Sequence, residues 1–372
     1  MIIFVAISIF VISLSMPFDF LHAEDEKAVF PDSVEISGRA RTRYGHTDYS
    51  DSDIKKDSVQ LYFRLHGMIP FNPYVSVAAS IASGSGKPSS NNITLSEGFS
   101  DKPVHLHTAE IRVNPYVQWI TLILGKMDNP LYRPASSQMM WDSDVSPEGF
   151  AGKADYSVME KVKLFGRGGL FMLTADKLSK HAFLASTQLG VELNFFSIST
   201  TIFAGYHNAF NNSLALPYTE GSNTLIISAD ENERNRYFYD YNVLETGIEL
   251  SRTFFNYLST TVFFHLTENI AENAEETNAF SVGMKAGSSE FSSPGNWKFN
   301  IDYRRVEHNA FLDVYSHSNF YGGETGAEGL SLSASTVIYN PLSLKLFYGY
   351  HSGLYEHQET IHTFMADLNV SF

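Results

Sequence analysis

The sequence predicts an all-β fold, a transmembrane antiparallel β-barrel of about 16 strands with short periplasmic turns and long extracellular loops. Three observations carry this. First, apolar and polar residues alternate with period two along many segments, which marks strands with one apolar face. In "VQLYFRLHGMI", Val59, Leu61, Phe63 and Leu65 fall on one side, and Gln60, Tyr62, Arg64 and His66 on the other. Second, these segments exceed the ~5–6 residues usual in soluble sheets and reach the ~9–11 that cross a bilayer. Third, Asn-Pro steps in "PFNPYVSV", "RVNPYVQW" and "IYNPLSLK" join them at one end, while long polar stretches such as 83–103 and 207–236 join them at the other. Asn closes a tight turn through its side chain and Pro presets φ there.

In chain order, "MIIFVAISIFVISLSMPFDFLHA" carries an apolar run from Ile2 to Leu14, then Pro17 and a small residue at Ala23. This reads as a signal peptide over 1–23, cleaved near Ala23, with no Lys or Arg before the run to fix its start. Residues 24–372 then form the barrel, and no later window approaches the ~18 uninterrupted apolar residues of a membrane helix. "VEISGRARTRY" sets Arg39, Arg41 and Arg43 opposite Ile36, Gly38, Ala40 and Thr42. "NWKFNIDYR" sets Lys298, Asn300, Asp302 and Arg304 opposite Trp297, Phe299, Ile301 and Tyr303. The last segment, "IHTFMADLNVSF", alternates to its end at Phe372.

The alternation places strand centres at about 40, 63, 78, 110, 121, 154, 168, 187, 201, 245, 260, 282, 301, 334, 347 and 367. The pair at about 154 and 168 is the least clear, because the Gly-rich "KVKLFGRGGLFML" blurs the pattern. An even count puts both termini on the periplasmic side. Lipid cannot hydrogen-bond a free strand edge, so the sheet closes, and about 16 strands leave an aqueous channel.

Composition narrows the function classes. The chain has 372 residues, no Cys and a formal charge of −15. Thiolate metal sites and disulfides are excluded, and the acidic balance argues against nucleic acid. The 20 Tyr, 29 Phe and 3 Trp suit aromatic girdles facing outer-membrane lipid, with Tyr74, Tyr116, Trp119, Tyr257, Tyr339 and Tyr348 near strand ends.

Two stretches carry a family resemblance. "LGKMDNPLYRP…MMWDSDVSPEGFAGKADY" (124–156) is similar to the bacterial "putative porin" outer-membrane family, with its Gly-Lys/Arg…Asn-Pro step and Trp-Asp-x-Asp…Pro-Glu-Gly loop. "YRRVEHNAFLDVYSHSNFYGGETGAEGLSLS" (303–333) resembles that family's second hallmark, although His317, Ser318 and Asn319 stand where Asp is expected. With the last strand, the resemblance covers roughly 110–372. It implies an outer-membrane porin for passive diffusion of small hydrophilic solutes or ions, with no cofactor. The C-terminal "MADLNVSF" resembles the outer-membrane end signature, in which the terminal aromatic, here Phe372, is read by the barrel-assembly machinery. Porins of this size commonly form homotrimers, but no interface marker stands out. The alternative is a structural or adhesive surface barrel acting through its loops.

The strand count puts "WDSDVSPEGF" in the third outer loop, about 127–150. In many general porins that loop folds into the lumen. By that analogy Asp142, Asp144 and Glu148 form the acidic side of a constriction, with Lys126, Asp128 and Arg133 beside them. Arg39, Arg41, Arg43, Arg64 and Arg304 face inward as the basic side. Opposed charges set a transverse field that polar solutes align with. The rival reading is that the loop carboxylates bond backbone N–H groups and hold its shape. A calcium site fits poorly, because D-x-D-x-x-x-E lacks the third acid and the Gly of an EF-hand, and "DYSDSD" (48–53) is weaker still. Enzyme readings lack support: no sugar-shaped cleft is implied for a glycosidase pair, and no Ser motif accompanies His207, His265 or His351. His105 and His107 share a strand face, and girdle or lumen positions suit them better than metal binding.

Overall fold

The computed structural model describes residues 34–372 apart from 97, 99, 176–180, 211–215, 217, 220–221, 230–234 and 356–358. The proposed signal peptide, 1–23, lies outside the described residues. Of the 19 strands among the described residues, three are two-residue ladders in outer loops, which leaves 16 in one wall. In order these are β1 Glu35–Tyr49, β2 Ile54–Pro70, β3 Val75–Ser83, β4 Val104–Val113, β5 Ile120–Lys126, β6 Glu148–Met159, β7 Val162–Ala175 and β8 His181–Phe195. Then follow β9 Ile198–Phe210, β10 Tyr241–Phe254, β11 Leu258–Asn269, β12 Asn278–Ser288, β13 Trp297–Val306, β14 Ala327–Tyr339, β15 Leu342–Gly353 and β16 Thr360–Ser371.

Each strand pairs antiparallel with the next, and β1 pairs with β16, so no edge is left open. Closure extends to the last residue: Gly38 N–H donates to the Phe372 carbonyl at 2.8 Å, and Phe372 N–H returns the bond at 3.0 Å. The Phe372 ring rests over Gly38, where a Cβ would sit 2.4 Å from the ring tip and push it aside.

Side-chain alternation follows the sequence. Ile36, Tyr44, Val59, Leu61, Phe63, Phe364 and Leu368 are exposed on the outer face. Arg43, Arg304 and Asp367, at the opposite parity, are buried inside. The short turns work as Asn-Pro predicts: Asn72 Oδ1 accepts from the N–H groups of Tyr74 (2.8 Å) and Val75 (2.9 Å). Two other short turns, Phe196-Ser197 and Phe255-Asn256, have positive φ at both residues, the backbone of a type I′ hairpin. Their Phe side chains are 93% and 95% exposed and join Tyr74, Tyr116 and Trp119 at the periplasmic interface.

Leu189, mid-strand on β8, is 70% exposed on the lipid face. Leu189→Arg is expected to destabilise the folded barrel by about 2–4 kcal/mol, the cost of a cation near the bilayer midplane. Urea unfolding in lipid vesicles measures it, and an unshifted midpoint would count against this lipid-facing assignment.

Candidate pore constriction

Loop 3 (127–147) leaves β5 and enters the barrel because its own residues are apolar. Met127, Leu131, Met139, Met140, Trp141 and Val145 are all buried. They pack on Leu184, Ala209, Tyr241 and Val243, which project inward from β8, β9 and β10. A second outer loop, loop 7 (307–326), joins them with Phe311, Leu312, Val314 and Phe320. One side of the lumen is thus a dry core of two infolded loops, held by area burial that neither loop has alone.

Polar bonds fix the position of this core. At the tip of loop 3, Tyr132 N–H donates to Gln188 Oε1 (2.7 Å), and Gln188 Nε2 donates to the Tyr132 carbonyl (3.1 Å). Tyr132 Oη and Ala135 N–H both donate to Glu249 Oε2, at 2.8 and 2.5 Å. The second bond offsets the cost of a left-handed backbone at Ala135 (φ 47°) and Ser136 (φ 55°). Trp141 stacks on Tyr315 of loop 7, with centroids 5.3 Å apart. Asp142 N–H donates to the Tyr315 carbonyl at 2.8 Å.

The carboxylates of "WDSDVSPEGF" separate into three situations. Asp142 is buried, and its Oδ1 accepts from Asp144 N–H (2.8 Å). Its Oδ2 accepts from Ser318 N–H (2.9 Å) and Ser318 Oγ–H (3.1 Å), which ties loop 3 to loop 7. Burial, and then the Asp144 charge, raise its pKa to about 6. Asp144 is half-buried, and its Oδ2 accepts from Asn91 N–H (3.0 Å) of loop 2 (84–103). Glu148 is the first residue of β6 and lies at the loop's base, where Lys126 Nζ meets it at 2.8 Å.

The remaining sequence-derived residues also divide. Asp142 and Asp144 line a cavity of about 200 Å³ together with Arg39, Arg41, Arg43 and Arg304. Arg64 instead holds Asp128 through both carboxylate oxygens, at 2.8 and 2.9 Å. Arg133 donates to the Trp141 carbonyl at 3.1 Å and braces its own loop. Lys126, Asp128, Arg133, Glu148 and Arg64 therefore stand outside the cavity lining that Asp142 and Asp144 share with the other arginines.

The wall opposite the loops is basic. Arg43 grips Asp367 through Nε (2.6 Å) and Nη2 (2.9 Å), and reaches Asn319 of loop 7 with Nη1 (3.2 Å). Arg39 donates to Asn369 at 2.9 Å, and Arg41 donates to Asn92 of loop 2. The guanidinium groups of Arg41 and Arg39 lie 4.8 and 5.8 Å from the Tyr62 ring. Arg304 bonds Asp302 (2.5 Å) and His317 Nδ1 (3.0 Å). Burial, and then Arg304, push the His317 imidazole well below its ordinary range, so it accepts as a neutral ring.

Lys285 and Lys345 escaped the sequence reading, while Asp302, read on the polar strand face, and loop 7, read in the second family stretch, were not assigned to the constriction. Inward parity on β12 and β15 marks the two lysines. Nothing periodic marks loop 7.

A sequence profile of the "putative porin" family matches residues 25–236 and 234–372. The chain belongs to this family. Among solved structures, OprB of Pseudomonas putida at high pH aligns with a TM-score of 0.58 at 12% identity, covering 91% of this chain and 94% of that one. In-vitro folded OmpT of Vibrio cholerae aligns with a TM-score of 0.51 at 10% identity, covering 93% and 100%. At such identities the likeness shows the shared barrel. A search among curated proteins found no match. The porin sits in the outer membrane and passes small hydrophilic solutes or ions by passive diffusion. Family and fold point to a channel rather than an enzyme, and the adhesive-surface alternative is not favoured.

Proposed function

We propose that the gap between loops 3 and 7 and the basic wall is the constriction, and that it makes the porin prefer anions. The supporting observation is the charge around the cavity. Six cations line it (Arg39, Arg41, Arg43, Lys285, Arg304, Lys345) against three carboxylates (Asp142, Asp144, Asp302). A narrow passage with low-dielectric walls focuses such an excess and raises the local anion concentration. Asp142 serves chiefly to hold the loops, and Asp144 and Asp302 supply the opposing charge.

The double variant Lys285→Glu/Lys345→Glu would leave four cations against five carboxylates. Its reversal potential in a KCl gradient is expected to move from chloride toward potassium. A potential equal to that of the wild type would rule out this gap as the constriction. Two further assignments belong to this reading. Residues 1–23 act as an export signal removed near Ala23, and Phe372, exposed beyond β16, is read by the barrel-assembly machinery.

A further inference from the structure

The cavity holds more than an excess of charge. Its polar groups differ on its two sides. On the wall, strand register joins Arg43, Asp367 and Lys345 across β1, β16 and β15. It also joins Lys285, Asn300 and Ser333 across β12, β13 and β14. Arg43 and Arg304 are closely paired with carboxylates, at 2.6 and 2.5 Å. The side chains of Lys285 and Lys345 make neither a hydrogen bond nor an ion pair among the described residues. The Nε of Arg41 is buried and has no partner. Three cationic donors are thus unused on one side of the cavity. On the other side the loop 3 carboxylates Asp142 and Asp144 are engaged by backbone N–H groups, and Ser136, Ser137, Gln138 and Ser143 present hydroxyl and amide groups that both donate and accept.

Building on the anion preference proposed above, we propose that this cavity is a binding site for short hydroxylated carboxylates of the sugar-acid class. The carboxylate docks against Lys345 and Arg41, on β15 and β1, where charge-assisted bonds are strongest, and Lys285, three strands further along the wall on β12, adds longer-range attraction. The hydroxylated body lies against the serines and Gln138 of loop 3. A bare inorganic anion would leave the loop groups unmatched, and a neutral sugar would leave the cations unmatched. The size agrees: about 200 Å³ is below the ~300 Å³ at which drug-sized pockets begin, and suits a solute of about a dozen heavy atoms.

The test uses the full-length porin in planar bilayers carrying a KCl current. Gluconate, glucose and propionate are added separately at equal concentrations. Gluconate is expected to reduce the current saturably, with half-block at a concentration about tenfold or more below that of either other solute. Lys285→Gln/Lys345→Gln is expected to raise the gluconate half-block about tenfold. Ser136→Ala/Ser143→Ala is expected to weaken gluconate block while leaving propionate unchanged, and it keeps the test open if the lysine variant does not insert.

Equal block by propionate would reduce the site to charge alone, and equal block by glucose would reduce it to polarity or size. Either result overturns the proposal, as does block that never saturates. The reversal potential in KCl alone, taken on the same membranes, reports separately on the anion preference. A chloride preference without selective gluconate block sinks only the sugar-acid site. Selective block without chloride preference sinks only the anion-preference reading.

Discussion

Glu245→Ala is expected to lower the temperature at which the barrel unfolds in detergent by more than the loss of any one hydrogen bond between loop 3 and the wall. Glu245 lies on β10 beneath loop 3 and is 1% exposed. Its Oε1 accepts from His265 Nε2 at 2.7 Å. Its Oε2 accepts from His207 Nε2 at 2.8 Å and from Gln188 Nε2 at 2.5 Å. Alanine would strand three donors in a dry site, a change in the ~3–5 kcal/mol class of a broken buried charge network. Gln188 also clamps the Tyr132 backbone in both directions, so the loss propagates to the tip of loop 3. Glu245→Gln keeps the volume, and the imidazoles can change tautomer to accept from its amide, so a smaller loss is expected. The electrophoretic shift between folded and heat-unfolded porin, followed against temperature, measures both variants. If Glu245→Ala unfolds where the wild type does, the cluster does not hold the wall.

Asp142→Ala is expected to release loop 3 from loop 7 and turn a steady channel into one that flickers to larger conductance. The substitution removes the acceptor for three bonds and leaves the N–H groups of Asp144 and Ser318 unpaired. A cost of about 1–3 kcal/mol shifts the docked-to-released ratio about 5- to 150-fold. Asp142 also imposes a pH dependence. With its pKa raised to about 6, it takes up a proton between pH 7 and pH 5 and removes one negative charge from the cavity. Anion preference should therefore strengthen as pH falls through that window. The linkage sign is that of a raised carboxyl: docking is firmest below the ordinary carboxylate range and weakens as pH rises through about 6. His317 stays neutral throughout, because burial and Arg304 hold its ring well below the ordinary imidazole range. Asp142→Asn should be flat over this window. A wild-type selectivity that does not change between pH 7 and 5 would contradict this assignment.

The barrel was legible because its determinants are local. Period-two alternation records which side of the wall faces lipid, and all 16 expected strand centres fall inside observed strands. This includes the Gly-rich pair β6 and β7, whose register shifts between Ser157 and Met159. Parity also set Arg39, Arg41, Arg43 and Arg304 on the inner face. The finer arrangement depends on how loops fold against one another, and no period encodes that. Asp142 and Glu148 look equivalent in "WDSDVSPEGF", yet one ties two loops together and the other meets Lys126 at the loop's base. Asp128 reads as one more loop acid until Arg64, on β2, reaches it. Loop 7 stood out in the sequence only as part of the second family stretch, and its turn into the lumen was the largest gap. Phe311, Leu312, Val314 and Phe320 are apolar residues in a segment without alternation, and only the matching apolar underside of loop 3 gives them a reason to turn inward.

If the gap between the two infolded loops and the basic wall sets the bore, as proposed, the channel must carry current and sort ions by charge. Single-channel recording of the refolded porin in a KCl gradient tests this most directly. Discrete conductance steps and a reversal potential displaced toward chloride are expected. No ion current at high salt, or a reversal potential displaced toward potassium, would contradict it.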